Sequence, residues 1–91
     1  MTPIEIVDKA LVIANNRLAS APGFQMFDSI VVQLKYLRAV LTGEEKDRGR
    51  LQKIIVGHYA VREFAESDAE LSAALTAAQN IASKMAKGLK V

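Results

Sequence analysis

From Leu71 to Met85 the apolar residues return at every third or fourth position: Leu71, Ala74, Leu75, Ala78, Ile81, Ala82 and Met85. Steps of three and four are the footprint of a 3.6-residue period, so this stretch predicts an α-helix with a single apolar stripe. Alanines at 74, 78 and 82 keep that stripe shallow, which lets a neighbouring helix approach closely. Whatever else the chain forms must pack against this face.

The remaining sequence reads as more of the same. Thr2-Pro3-Ile4-Glu5 is a helix start: Thr2 can cap, Pro3 suits the first helical position and Glu5 completes a capping box. Ile4, Val7, Leu11, Ala14 and Leu18 follow at helical spacing, and Ser20-Ala21-Pro22-Gly23 stops the helix. A second helix is predicted from Phe24 to Thr42 on the stripe Phe27, Ile30, Val31, Leu34, Leu37 and Leu41, closed by Gly43. The charged run Gly43 to Arg50 reads as a solvated loop or frayed turn. A third helix is predicted from about Asp47 to Ala65, with Leu51, Ile54, Ile55, Val61 and Ala65 on one face. Ser67-Asp68-Ala69-Glu70 forms a second capping box that opens the fourth helix, and Gly88 ends it. Isoleucine and valine in the first three segments raise a competing strand reading. Helical spacing and the two capping boxes oppose it. Short connections between amphipathic helices predict an all-α fold, a small antiparallel bundle of about four helices in one domain spanning residues 1–91.

Composition narrows the function classes. Hydrophobic residues are 51%, well above a disordered segment. Net charge is +2, with no basic stripe of the kind that nucleic-acid binders carry. Lys84, Lys87 and Lys90 suit the negative end of a helix dipole instead. The longest apolar runs are a few residues, too short for a membrane span, and no secretory leader is read at the start, so a cytoplasmic location is expected.

Catalytic constellations are missing from the sequence. There is no cysteine and a single histidine, so neither a thiolate metal site nor a converging histidine set is available. The serines have only His58 as an imidazole partner, and no Gly-rich phosphate loop occurs. The expectation is a protein that is not an enzyme and holds no cofactor or metal. His58 falls among Leu51, Ile54, Ile55 and Val61 on a helical wheel, which predicts a buried or half-buried packing role. Gly57 costs about 1 kcal/mol within a helix, and a close helix crossing is the expected reason.

Binding leaves a positive trace. The second helix carries Met26, Val32, Tyr36, Ala39 and Val40 off its core stripe. The third carries Val56, Tyr59 and Ala60 opposite Ile54 and Val61. Helices apolar nearly all round are either central in a bundle or form an interface. On the interface reading, Val32, Tyr36, Val56 and Tyr59 belong to an intermolecular surface, and Glu63 and Glu66 add an acidic edge for a basic partner. On the alternative, these residues are ordinary packing.

Ordered segments along the chain carry a family likeness. They are Thr2-Pro3-Ile4-Glu5, Pro22-Gly23, Gln33-Leu34-Lys35-Tyr36-Leu37-Arg38-Ala39-Val40-Leu41, Gly57-His58-Tyr59-Ala60-Val61-Arg62-Glu63-Phe64, Asp68-Ala69-Glu70-Leu71-Ser72 and Gly88-Leu89-Lys90-Val91. In that order they resemble the small immunity proteins encoded beside type VI secretion effectors, those that neutralise NAD(P)+ glycohydrolase toxins. The resemblance implies a helical protein of the bacterial cytoplasm that binds a cognate toxin domain and blocks NAD(P)+ access, without catalysis of its own. A self-associating helical module without a toxin partner is the alternative, and an immunity protein can also form a homodimer when unbound.

Overall fold

In the computed structural model, which describes residues 1–91, three helices of 18 residues each frame the molecule: α1 (Pro3–Ser20), α2 (Gln25–Thr42) and α4 (Ala69–Ala86). Between α2 and α4 lie a 3₁₀ turn at Leu51–Lys53 and the short helix α3 (Val56–Tyr59), which runs on as a π-helical turn over Ala60–Phe64. No strand forms.

Local chemistry explains the ends. Thr2 caps α1 through a reciprocal box: its hydroxyl accepts from the Glu5 N–H at 3.2 Å, and the Glu5 carboxylate accepts from the Thr2 N–H at 3.0 Å. That backbone bond holds the Glu5 carboxyl below its ordinary range. Gly43 ends α2 with φ of 85°, a left-handed conformation open to glycine without a Cβ penalty. The fourth helix starts one residue later than the sequence pattern suggested. Asp68, not Ser67, is its cap, accepting from the Leu71 N–H at 3.2 Å, while the Ser67 hydroxyl donates back to the Glu63 carbonyl.

Helix α1 is flanked by α2 on one side and α4 on the other, both antiparallel to it. Asp8 early in α1 pairs with Arg38 late in α2. Arg17 late in α1 pairs with Asp68 at 2.7 Å and Glu70 at 3.0 Å at the start of α4. The segment from Leu51 to Phe64 packs on α4 and completes the enclosure. Phe64 stacks on Phe27 of α2, centroids 5.7 Å apart, and closes that end. The core is built from Val7, Ala10 and Ala14 of α1, Ile30, Leu34 and Leu37 of α2, and Leu71, Leu75 and Ala78 of α4, all fully shielded. Burying one such leucine contributes about 1.5–3 kcal/mol. No polar side chain is buried.

The predicted third helix is the one element that the structure redraws. It does not run from Asp47 to Ala65. The chain is extended at Ile54 (φ −73°, ψ 120°) before α3 begins. An unbroken helix would turn Ile54 and Val56 about 200° apart. The extended residue lets both point inward, and only 4% of Ile54 and none of Val56 is exposed, with Ile55 facing out between them. The break also resets the phase of the helical turns beyond it. Val56 and Ala60 face the core and Tyr59 is half-buried, whereas Val61, expected inside, is 72% exposed. His58, expected among packing residues, is exposed for the same reason.

The new helix start takes its partners from its neighbours. The Ile55 N–H donates to Oε1 of Gln33 on α2 at 2.7 Å, and the Gly57 N–H donates to Oε1 of Gln79 on α4 at 3.0 Å. Gly57 therefore marks a close crossing, as expected: a Cβ there would stand 2.7 Å from Cγ of Gln79.

Candidate partner-binding surface

The six residues singled out from the sequence do not share one face. Val56 is wholly buried and belongs to the core, so it is not a surface contact. Tyr59 is half-buried and packs against that core. Glu63 and Glu66 are exposed on the π-helical turn and just beyond it, beside Val61, Arg62 and Ser67. That turn lies at the end of α2 that carries Phe27. Tyr36 stands nine residues further along, about 13 Å by the rise of an α-helix.

Val32 and Tyr36 lie side by side, but only Val32 is on the surface; Tyr36, expected there, is buried. Val32 projects from α2 with 62% of its surface exposed. One turn on, the Tyr36 ring is only 8% exposed because the loop after α2 folds back over it. Three contacts hold that loop. The Tyr36 hydroxyl donates to the Asp47 carbonyl at 2.6 Å, the Arg50 guanidinium sits 4.4 Å from the ring centroid, and the Glu45 N–H donates to the Ala39 carbonyl at 3.1 Å. The charged run Gly43 to Arg50 is thus a strap across α2, although its charges remain in water.

Strap and helix enclose a hollow of about 90 Å³, lined by Val32, Gln33, Tyr36, Arg50, Lys53 and Ile54. Its walls are valine, isoleucine and the tyrosine ring; two cations and no acid line it, with Glu45 beside Arg50 at 3.5 Å. The sequence pointed to the α2 half of this hollow. It did not point to Arg50, Lys53 or Ile54, because their placement depends on the break at Ile54 and on the Tyr36–Asp47 bond.

Elsewhere the surface offers little chemistry. No three His, Cys, Asp or Glu side chains converge in the manner of a metal site. No helix is long and apolar enough to cross a membrane. The strongest charge cluster is the Arg17–Asp68–Glu70 set, and its geometry is structural. Arg17 grips Asp68 with Nε and Nη2 at 2.7 and 3.1 Å, and those bonds hold the Asp68 carboxyl below its ordinary range.

The profile of the Tsi6 family matches residues 2–84. The chain belongs to the Tsi6 family. It is 44% identical to the immune protein Tsi6 of Pseudomonas aeruginosa over all 91 residues, covering 97% of that relative. Its fold is shared with a chain in the solved structure of Tse6 in complex with Tsi6, at a TM-score of 0.94 and 43% identity, over 99% of this chain and 96% of that one. A solved structure of Tsi6 from Pseudomonas aeruginosa matches at a TM-score of 0.85 and 44% identity, over 90% of this chain and 95% of that one. The family match spans the family-like segments from the first capping box to the start of α4; the last of them, Gly88-Leu89-Lys90-Val91, lies beyond it.

Proposed function

We propose that this protein is an immunity protein that binds a cognate toxin domain and covers its active site. The observation that carries the reading is Tsi6-family membership, joined to a solved complex in which a Tsi6 is bound to Tse6. The protein's own surface supports it. An inhibitor that acts by occlusion needs a rigid, well-packed body and an exposed contact face, and it needs no nucleophile, base or metal of its own. On this reading the protein is not an enzyme. The toxin is a type VI secretion effector that hydrolyses NAD(P)+, and protection takes place in the cytoplasm, where that substrate is found. Val32 and the exposed acids Glu63 and Glu66 are the contact candidates that remain on the surface; Tyr59 offers only the exposed part of its ring, and Tyr36 is buried beneath the strap.

Co-expression tests this. A strain carrying the toxin encoded beside this protein's gene should lose NAD+ and stop growing. Adding this protein should restore both. Continued growth arrest and NAD+ loss despite soluble, folded protein would remove the reading.

A further inference from the structure

We propose that the hollow between α2 and the strap is where the partner docks, and that it takes a segment bearing an apolar side chain next to a carboxylate. The proposal rests on the immunity reading above and specifies where on this protein the partner sits.

Three observations carry it. First, exposed apolar surface adjoins the hollow: Val32 in its lining is 62% exposed, and Ile55, whose N–H donates to the lining residue Gln33, is 39% exposed. A core-facing role does not explain either side chain.

Second, the rim is electrostatically one-sided. Lys53 has no ion-pair partner, and Arg50 reaches only Glu45 at 3.5 Å. None of the residues lining the hollow is acidic. A carboxylate entering here meets an unpaired Lys53 and an Arg50 shared with Glu45, two cations against one neighbouring acid, which favours an anion.

Third, the site is pre-organised. The guanidinium of Arg50 lies 4.4 Å from the Tyr36 ring centroid, and the Tyr36 hydroxyl is anchored on Asp47. A stacked guanidinium loses less freedom on binding than a free one. The volume of about 90 Å³ has room for one aliphatic side chain, and that size, with the apolar flanks, favours a protein segment over a free anion.

The test is the affinity for the toxin domain encoded beside this protein's gene, measured by interferometry on purified proteins. Val32→Asp removes the apolar flank and puts an acid at the mouth. It should weaken binding about 100-fold, mainly through faster dissociation. Lys53→Glu should slow association about tenfold and flatten its dependence on salt. Val12→Asp, at an exposed valine of α1 that belongs to neither the hollow nor the acidic patch of Glu63 and Glu66, should stay within about threefold of wild type. All three positions are exposed, so circular dichroism should show unchanged folding. Wild-type affinity in both hollow variants, or equal loss in Val12→Asp, would overturn the docking site while leaving the immunity reading intact. A wild-type protein that does not bind the toxin at all would overturn both.

Discussion

The backbone N–H of Gly57 donates to the side-chain oxygen of Gln79 at 3.0 Å, and a single methyl group on Gly57 would lie 2.7 Å from Cγ and 2.9 Å from Cβ of that glutamine. The bond and the tight fit are one arrangement. Gln79 can reach the N–H only because α3 approaches α4 with no side chain between them. It replaces the cap that α3 lacks, since Ile55 has no side-chain acceptor.

Gly57→Ala therefore destabilises the fold although alanine is the better helix former. Overpacking costs about 1–3 kcal/mol, because Cβ of Gln79 cannot swing away like the tip of a flexible chain. The propensity gain is about 1 kcal/mol at most. Gln79→Ala loses a hydrogen bond worth about 1 kcal/mol and clears the space. The double variant should then cost less than the sum of the two. Urea titrations of the four proteins in the cycle give the coupling directly, and strict additivity would show that the two residues do not act through this contact.

Asp68 makes stability depend on acid. Arg17 holds its carboxyl below the ordinary value of 3.8, so under acidic conditions the folded state binds fewer protons than the unfolded one. Its contribution is complete above about pH 5 and is lost as pH falls through the lowered folded value. Glu70, the other acid facing Arg17, keeps a single bond at 3.0 Å. Asp68→Asn retains a capping side chain but forfeits the charge-assisted pair. Its melting temperature should lie below wild type at pH 7, and the gap should close toward pH 3. Asp68→Ala should lose about 1 kcal/mol more, the value of a helix cap. A gap between wild type and Asp68→Asn that stays constant through this range would show that Asp68 titrates as it does in the unfolded chain.

Val56 and Val61 should respond oppositely to truncation. Val56→Ala removes buried methyl groups and leaves a cavity, at a cost of about 2 kcal/mol. Val61→Ala, at a side chain 72% exposed, should stay within about 0.5 kcal/mol of wild type. Denaturant midpoints would distinguish this from an unbroken third helix, which would reverse the order.

Much of this was legible in the residues. The capping box at Thr2 and Glu5 needs only four neighbouring residues to define it, and it forms as read. The α4 stripe from Leu71 to Met85 is buried along its length except at half-buried Ala74, because one period dominates there. Val32 was legible too, as an apolar side chain with no place on the core stripe of α2. His58 and Val61 were not, and both errors have one origin. A helical wheel drawn through Ile54 and Ile55 assumes an unbroken helix, and β-branched residues tolerate an extended backbone as readily as a helical one.

Local sequence determined the three long helices, their caps and the stripes by which they pack, since each depends on residues within a few positions of one another. Only the tertiary structure decided the segment from Glu44 to Phe64. There the backbone donors of Ile55 and Gly57 find acceptors on Gln33 and Gln79, each 22 residues away. Tyr36 reaches Asp47 across 11 residues. A break in a helix is tolerable when the freed N–H groups are paired, and partners so distant in the chain exist only once α2 and α4 are in place. That is why the strap, and the hollow it forms over Val32 and Tyr36, belongs to the fold rather than to any stretch of sequence.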